Sequence, residues 1–124
     1  MTIETTMTTQ QVAARFYELA KKEAWFEIQD KLFAENVKSN EPPSSPLLQN
    51  AEGKAAVRSK GEAWVKRITA ANKLQTTEPI VGENHFAVGR EVDIDVEGIG
   101  RIQINQIMLY EVKNGEIISE QFFY

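Results

Sequence analysis

The sequence predicts an α+β domain in which three helices, with one short strand among them, precede a long antiparallel meander. Apolar residues recur at helical spacing up to about Ala71, and after Asn72 they alternate with polar residues, which is the period of a half-buried strand. Helices that are segregated from an antiparallel sheet define this fold class. The length of 124 residues suits one domain, so we expect residues 1–124 to form a single domain with residues 1–7 as a frayed tail.

Three helices are predicted in the first part of the chain. Thr8 and Gln11 have the spacing of a capping box, which favours a helix that begins directly after Thr8. Apolar residues at helical spacing then predict helices over about residues 9–22, 24–34 and 53–71.

The segment between the second and third helices cannot be helical. Pro42, Pro43 and Pro46 exclude a helix, so we expect a short strand and a loop there. Glu41 stands directly before the first two prolines. It is either a solvated loop residue or a base at the rim of a pocket.

Strands and turns follow one another after Asn72. Two residues, Asn114 and Gly115, form the strongest short-range hairpin signal in the chain. A second turn is predicted over residues 97–100. The predicted strands cover residues 74–81, 85–97, 102–112 and 118–124.

Three polar residues interrupt the apolar face of this meander. Arg90, Gln106 and Glu120 each share the parity of apolar neighbours, so each points toward the core unless a β-bulge shifts the parity. Burying a neutral amide without a partner costs roughly 2–7 kcal/mol, and a charge costs more. Either these groups satisfy one another, with Arg90 and Glu120 as a structural ion pair, or they line a cavity that holds water or a ligand.

The opposite face of the meander is also partly apolar. Ile107, Leu109 and Phe123 lie on the outward parity, and His85 shares that side as a surface or interface residue. The helices can cover only one face of the sheet, so the outer face is a candidate homodimer interface.

The composition excludes several classes of protein. The formal net charge is −4 and no stretch is dense in Lys and Arg, so no nucleic-acid partner is expected. The absence of cysteine excludes disulfides and thiolate zinc sites, and the single histidine excludes a His-rich metal site. We expect no cofactor. No run approaches the ~20 apolar residues of a membrane span, and no signal peptide is visible, so a cytoplasmic protein without a membrane partner is expected.

The chain resembles a cone-shaped superfamily over about residues 10–124. The superfamily includes nuclear transport factor 2 (NTF2), ketosteroid isomerase and the SnoaL-like polyketide cyclases. The markers are "VAARFYELAKKEAWFEIQDKLFAENV", "EGKAAVRSKGEAW" and "VKNGEIISEQFFY", whose order and spacing are specific together. The resemblance implies an NTF2-like cone of three helices on a curved, mostly antiparallel sheet, and it favours a homodimer. Function varies widely in this superfamily.

Three candidate catalytic residues come from the resemblance to ketosteroid isomerase. "FAENVKSNEP" resembles a segment of that enzyme in which Glu41 would match the general base. Tyr17 would match a tyrosine that donates to the oxyanion, and Gln106 would match a protonated aspartate beside it. The general base of that enzyme is an aspartate, and Glu41 at the same position is longer by one methylene. A misplacement of about 1 Å can cost ~100-fold in rate. Arg90 adds a cation, so steroid isomerisation itself is not expected.

The remaining candidates would contact a ligand. Glu120 could also move a proton, and a core position is an alternative for Tyr17, as it is for the tryptophans Trp25 and Trp64. The predicted ligand-binding residues are Arg90, Glu120, Trp64, Met108, Phe122 and Tyr124.

Three functions remain open from the sequence. The first is a SnoaL-like enzyme that performs acid–base chemistry on an apolar carbonyl or acid compound. The second is a non-catalytic domain that binds a small molecule in the same pocket. The third is a dimeric interaction module. Convergence of Glu41, Tyr17 and Gln106 on one empty volume would favour the enzyme, whereas a cavity filled by side chains would favour the module.

Overall fold

The helices precede most of the sheet in the computed structural model, which describes residues 6–124. The tail predicted over residues 1–7 lies largely outside the described residues. The helices are α1 (Thr9–Ala20), α2 (Trp25–Leu32) and α3 (Lys54–Arg67). The strands are β1 (Phe33–Asn40), β2 (Ala51–Glu52), β3 (Ile68–Thr76), β4 (Ile80–Val81), β5 (His85–Val96), β6 (Gly100–Lys113) and β7 (Glu116–Phe123).

The capping box predicted for α1 is confirmed. The Thr8 hydroxyl accepts from the backbone N–H of Gln11 at 3.1 Å, and the Gln11 side chain accepts from the N–H of Thr8 at 2.9 Å. The helix then buries a stripe that includes Val12, Phe16 and Leu19 against the sheet. The start of the chain's first helix is thereby fixed by local hydrogen bonds and its orientation by burial.

The predicted ends of the second and third helices were too late. Helix α2 ends at Leu32, because residues from Phe33 onward form a strand beside β7. Helix α3 ends at Arg67 instead of residue 71, because Ile68 pairs with Val96 and begins β3. Sheet pairing overrides the helical pattern of the sequence at both places.

The sheet has the strand order β2-β1-β7-β6-β5-β3, with β4 also paired to β5. All pairings are antiparallel except that of β1 with β7, which is parallel. The region predicted as one strand over residues 74–81 is divided between β3 and β4. The Asn114–Gly115 turn is confirmed, since both residues have the positive φ that the tight hairpin turn requires.

Bulges bend the sheet around the helices. Register shifts occur in the pairings of β1 with β7, of β3 with β5, and of β6 with β7. Each bulge increases the local twist, which gives a curved sheet with a concave inner face. The shift beside Val112 also changes the parity at the start of β7. Ile117 is fully buried in the core, whereas Ile118, which by strand parity shares the inward side with Glu120, is only half-buried.

Two apolar clusters cover the concave face. The main core contains the rings of Phe16, Phe86 and Tyr110, whose centroids lie 4.6 to 5.1 Å apart. A smaller cluster lies farther along the sheet. Its buried members are Val92, Ile94 and Val96, and the partly buried side chains against them are Trp64, Ile68, Leu74, Ile102 and Ile104.

Candidate functional site

A cavity of about 450 Å³ lies between the concave face of the sheet and helices α2 and α3. This volume is within the range of ~300–1,000 Å³ that is typical of small-molecule sites. Its walls are mainly apolar and include much of the smaller cluster. Ionisable side chains enter from the end of β1, from α3 and from strands β5 and β7.

Most of the predicted site residues lie on the wall of this cavity. They are Glu41, Gln106, Arg90, Glu120, Trp64, Met108, Phe122 and Tyr124. Tyr17 is not among the residues that line it. That side chain is half-buried on α1, and Lys21 Nζ lies 5.1 Å from its ring centroid. Phe16, next to it, occupies the buried stripe of the helix instead. The structure therefore does not bring the expected oxyanion donor to the cavity.

Tyr110 is a cavity residue that the sequence reasoning did not select. It is fully buried on β6, and burial beside Glu120 raises the pKa of its hydroxyl well above the ordinary value. Its hydroxyl lies 3.9 Å from Met108 Sδ. The signal was present in the sequence, because Tyr110 shares the parity of Gln106 and Met108 on the same strand.

Glu41 is buried and paired, which contradicts its interpretation as a solvated loop residue. Only 5% of the residue is exposed. Lys60 Nζ lies 2.8 Å from Oε2, and the Tyr124 hydroxyl donates to Oε1 at 2.6 Å. The backbone N–H of Glu41 donates to the Asn50 side chain at 2.7 Å. Both carboxylate oxygens are thus held in place by protein donors. Lys60 was missed, although it lies on α3 one turn before Trp64.

Glu120 has a different environment from Glu41. It is 6% exposed, and burial raises its pKa to about 7, although the Ser39 hydroxyl and Lys60 favour the charged form. The nearby Glu41 carboxylate raises the pKa further. Lys60 also donates to Ser39 Oγ at 2.7 Å, so one ammonium group contacts both β1 and Glu41 and acts on Glu120 through its charge. Glu120 is consequently a carboxyl group that changes protonation state near neutral pH.

Arg90 pairs with Glu23 rather than with Glu120, so the alternative of a structural Arg90–Glu120 ion pair is wrong, whereas both residues line the cavity. The guanidinium donates to both Glu23 carboxylate oxygens, at 2.7 and 3.1 Å, and to Thr76 Oγ1 at 3.1 Å. It also lies over the Trp25 ring, 4.5 Å from the centroid. Glu23 follows α1 at a positive φ of 57°, and no pattern in the sequence indicated it.

Gln106 lies opposite Arg90 in the pairing of β5 with β6. It is half-buried, and its amide makes no side-chain hydrogen bond within residues 6–124. An amide in this state can donate to or accept from a molecule in the cavity.

The outer face of the sheet has an exposed apolar patch. Ile107 and Phe123 are cross-strand neighbours that are 56% and 50% exposed, and Leu109 beside them is half-buried. His85 is exposed at the start of β5. Among the described residues, no helix is long and apolar enough to cross a membrane, and no group of three His, Cys, Asp or Glu side chains could hold a metal ion.

The arrangement of the helices and the sheet assigns the chain to a fold class. Three helices on a curved, mostly antiparallel sheet form the NTF2-like α+β cone, which is also the fold of ketosteroid isomerase-like proteins. A family model described as "SnoaL-like domain" matches residues 7–124. The chain therefore belongs to the SnoaL-like domain family. A comparison with curated proteins gave no match.

Solved structures agree with this assignment. A Mesorhizobium loti protein, provisionally described as a SnoaL-like polyketide cyclase and carbohydrate phosphatase, is 29% identical with a TM-score of 0.88, over 95% of this chain and 100% of that chain. A Catenulispora acidiphila protein with a ketosteroid isomerase-like fold, in complex with trimethylamine, is 14% identical with a TM-score of 0.71, over 94% and 87% of the two chains. TerC, co-crystallised with polyporic acid, is 11% identical with a TM-score of 0.70, over 94% and 90%. The last two likenesses show the fold alone.

Proposed function

We propose that this SnoaL-like domain binds an apolar carbonyl compound in its cavity and moves a proton on it, as an isomerase, cyclase or dehydratase does. One observation carries the proposal: Glu120 is a buried carboxyl group on the cavity wall, with its pKa raised to about 7. A group that titrates near the working pH is the most effective general acid or base. Perturbed carboxyl groups in apolar clefts are typical of functional sites.

Glu120 suits the role of base better than Glu41 does. Glu41 already accepts from Lys60 and Tyr124, so taking up a proton would sacrifice two charge-assisted hydrogen bonds. In the proposed step, the Glu120 carboxylate takes a proton from the carbon beside the carbonyl. The electron pair moves to the carbonyl oxygen, and the free amide N–H of Gln106 stabilises the resulting enolate. When the substrate is a β,γ-unsaturated ketone, this enolate is conjugated with the second double bond, and return of the proton to the γ carbon completes an isomerisation.

Deuterium exchange into a simple ketone tests this proposal. We expect the protein to accelerate exchange at the acidic carbon of 2-tetralone in D₂O, with a rate that rises through an apparent pKa near 7. General bases typically contribute ~10²–10⁴-fold, so Glu120→Gln should remove roughly this factor. Glu91→Gln is the matched control, because Glu91 is exposed and pairs with Lys73 at 3.0 Å away from the cavity. Equal exchange rates in the wild type and Glu120→Gln would contradict the assignment.

A non-catalytic ligand-binding domain is the second candidate. The ion pair between Glu41 and Lys60 favours it, because that pair neutralises the position at which the resemblance expects the base. Two structurally similar proteins were crystallised with small molecules, trimethylamine and polyporic acid. Binding of 2-tetralone without any acceleration of exchange would favour this second candidate over the enzyme.

We also propose a homodimer that forms through the outer face of the sheet. The exposed pair of Ile107 and Phe123 supports this, since large apolar side chains in contact on a surface are typical of interfaces. We expect sedimentation at micromolar concentration to give a dimer for the wild type and a monomer for Phe123→Glu. A monomeric wild type would contradict the proposal.

A further inference from the structure

Both cations on the cavity wall are already neutralised by the protein. Lys60 donates to Glu41 at 2.8 Å, and Arg90 forms two hydrogen bonds with Glu23. Glu120 is a third acidic group on the same wall, and the charged residues lining the cavity are these three acidic groups and two cations. A bound carboxylate would therefore meet no free cation and would face an acidic surplus.

The Arg90–Glu23 pair is held by several independent contacts. Thr76 accepts from the same guanidinium, and the Trp25 ring lies beneath it. The Trp25 indole N–H donates to Glu23 Oε1 at 2.8 Å, so the acidic partner is also fixed in place. Two parallel N–H···O bonds are the arrangement in which an arginine recognises a ligand carboxylate. Here the protein supplies that carboxylate itself, at a residue that lines the cavity.

We propose that Glu23 is a specificity-determining residue, which reserves Arg90 and so restricts the cavity to neutral carbonyl compounds by excluding carboxylic acids. The inference rests on the proposed function and decides between the carbonyl and acid ligands that the sequence left open. An acid would have to displace Glu23 from Arg90 and leave that partly buried carboxylate without a cation, with only the hydrogen bond from the Trp25 indole. A neutral ketone needs only a hydrogen-bond donor, which the Gln106 amide offers at the neighbouring position on β6.

The experiment compares two aromatic probes of similar shape, 2-acetylnaphthalene and 2-naphthoate, by titration calorimetry at pH 7.5. The measured quantity is the ratio of their dissociation constants in each variant. We expect the wild type to favour the ketone at least tenfold. Glu23→Gln keeps the side-chain volume but frees Arg90, and a charge-assisted bidentate pair is worth about tenfold or more in affinity. The preference for the ketone should therefore fall by at least that factor.

A matched control separates this effect from net charge. Glu27→Gln removes the same charge from α2, where the glutamate is exposed and pairs with Lys31, so the ratio should stay at the wild-type value. In the double variant Glu23→Gln with Arg90→Met, the gain in acid binding should disappear. If Glu23→Gln fails to fold, Glu23→Asn is the second variant, because asparagine tolerates the positive φ at this position.

The outcomes distinguish the inference from the proposed function. Equal affinity of the wild type for acid and ketone overturns the inference alone, as does an unchanged ratio in both uncharged variants of Glu23. If neither probe binds to any folded variant, the proposed function fails and the inference fails with it.

Discussion

Replacing Glu120 by glutamine should change how the stability of the protein depends on pH. The folded protein retains the Glu120 proton up to about pH 7, whereas the unfolded chain releases it near the ordinary value of 4.5. Between these pH values the folded state binds more protons, so the free energy of unfolding falls as the pH rises. At 1.36 kcal/mol per pH unit, the interval from 4.5 to about 7 corresponds to roughly 3 kcal/mol. Above about pH 7 Glu120 is ionised in both states, so the free energy of unfolding falls no further on its account.

The assay is urea denaturation, followed by tryptophan fluorescence, of wild type and Glu120→Gln at a series of pH values from 4.5 to 8.5. Protein concentration is held fixed, because the stability of the proposed homodimer would depend on it. Glutamine cannot ionise, so the variant lacks this contribution, and the difference between the two proteins isolates it. Relative to the variant, we expect the wild type to lose about 3 kcal/mol between pH 4.5 and pH 8. The free energy of unfolding of the variant should therefore rise relative to that of the wild type as the pH increases.

The result that would refute the reasoning is a difference that stays constant with pH. A wild type that gains stability relative to the variant as the pH rises would be a stronger contradiction, because it would mean a lowered pKa and an ion-paired Glu120. Either result would also remove the main support for Glu120 as the proton-transfer group.

Three further predictions concern stability. Lys60→Met leaves the buried Glu41 carboxylate without its cation and should cost about 3 kcal/mol, measured by urea denaturation. Phe16→Ala empties the centre of the aromatic cluster and should cost ~3–5 kcal/mol by the same measurement. Gly115→Ala forces a Cβ to within 2.8 Å of the Thr6 side chain at a φ of 76°, and the strained turn should lower the melting temperature by several degrees, seen by calorimetry.

Surface substitutions provide the reference for these three predictions. Glu18→Gln on the exposed side of α1 should change stability by less than ~0.5 kcal/mol. If Lys60→Met were equally neutral, the Glu41 carboxylate would not depend on its pair. An unchanged melting temperature for Gly115→Ala would mean that the turn accommodates the added methyl group.

The features that the sequence predicted well depend on local pattern. The capping box at Thr8 and the turn at Asn114–Gly115 each depend on a few adjacent residues. The alternation of the strands likewise placed Arg90, Gln106 and Glu120 on the side where the structure has its cavity. Strand parity holds over long distances because every second residue faces the same side of a sheet.

The features that the sequence could not provide depend on partners far apart in the chain. Arg90 pairs with a residue 67 positions away, and Glu41 with one 19 positions away, so no spacing rule connects them. Tyr17 shows a different failure. The resemblance to ketosteroid isomerase placed it at a functional position, but Phe16 already occupies the buried stripe of α1, and the next residue lies about 100° around the helix. The apolar stripe of α1 predicted which side of the helix faces the core more reliably than the resemblance did.

The parallel pairing of β1 with β7 has a consequence for how the site comes into existence. This pairing sets Ser39 opposite Glu120, although 80 other residues lie between them in the chain. Contacts of such long range form late, because the entropy of closing the intervening loop must be overcome before they are gained. During synthesis, the helices and β1 leave the ribosome well before β7 does. The acidic centre of the cavity is therefore expected to assemble as one of the last events of folding, and refolding monitored at the pairing of β1 with β7 should be slower than formation of α1, whose hydrogen bonds are local.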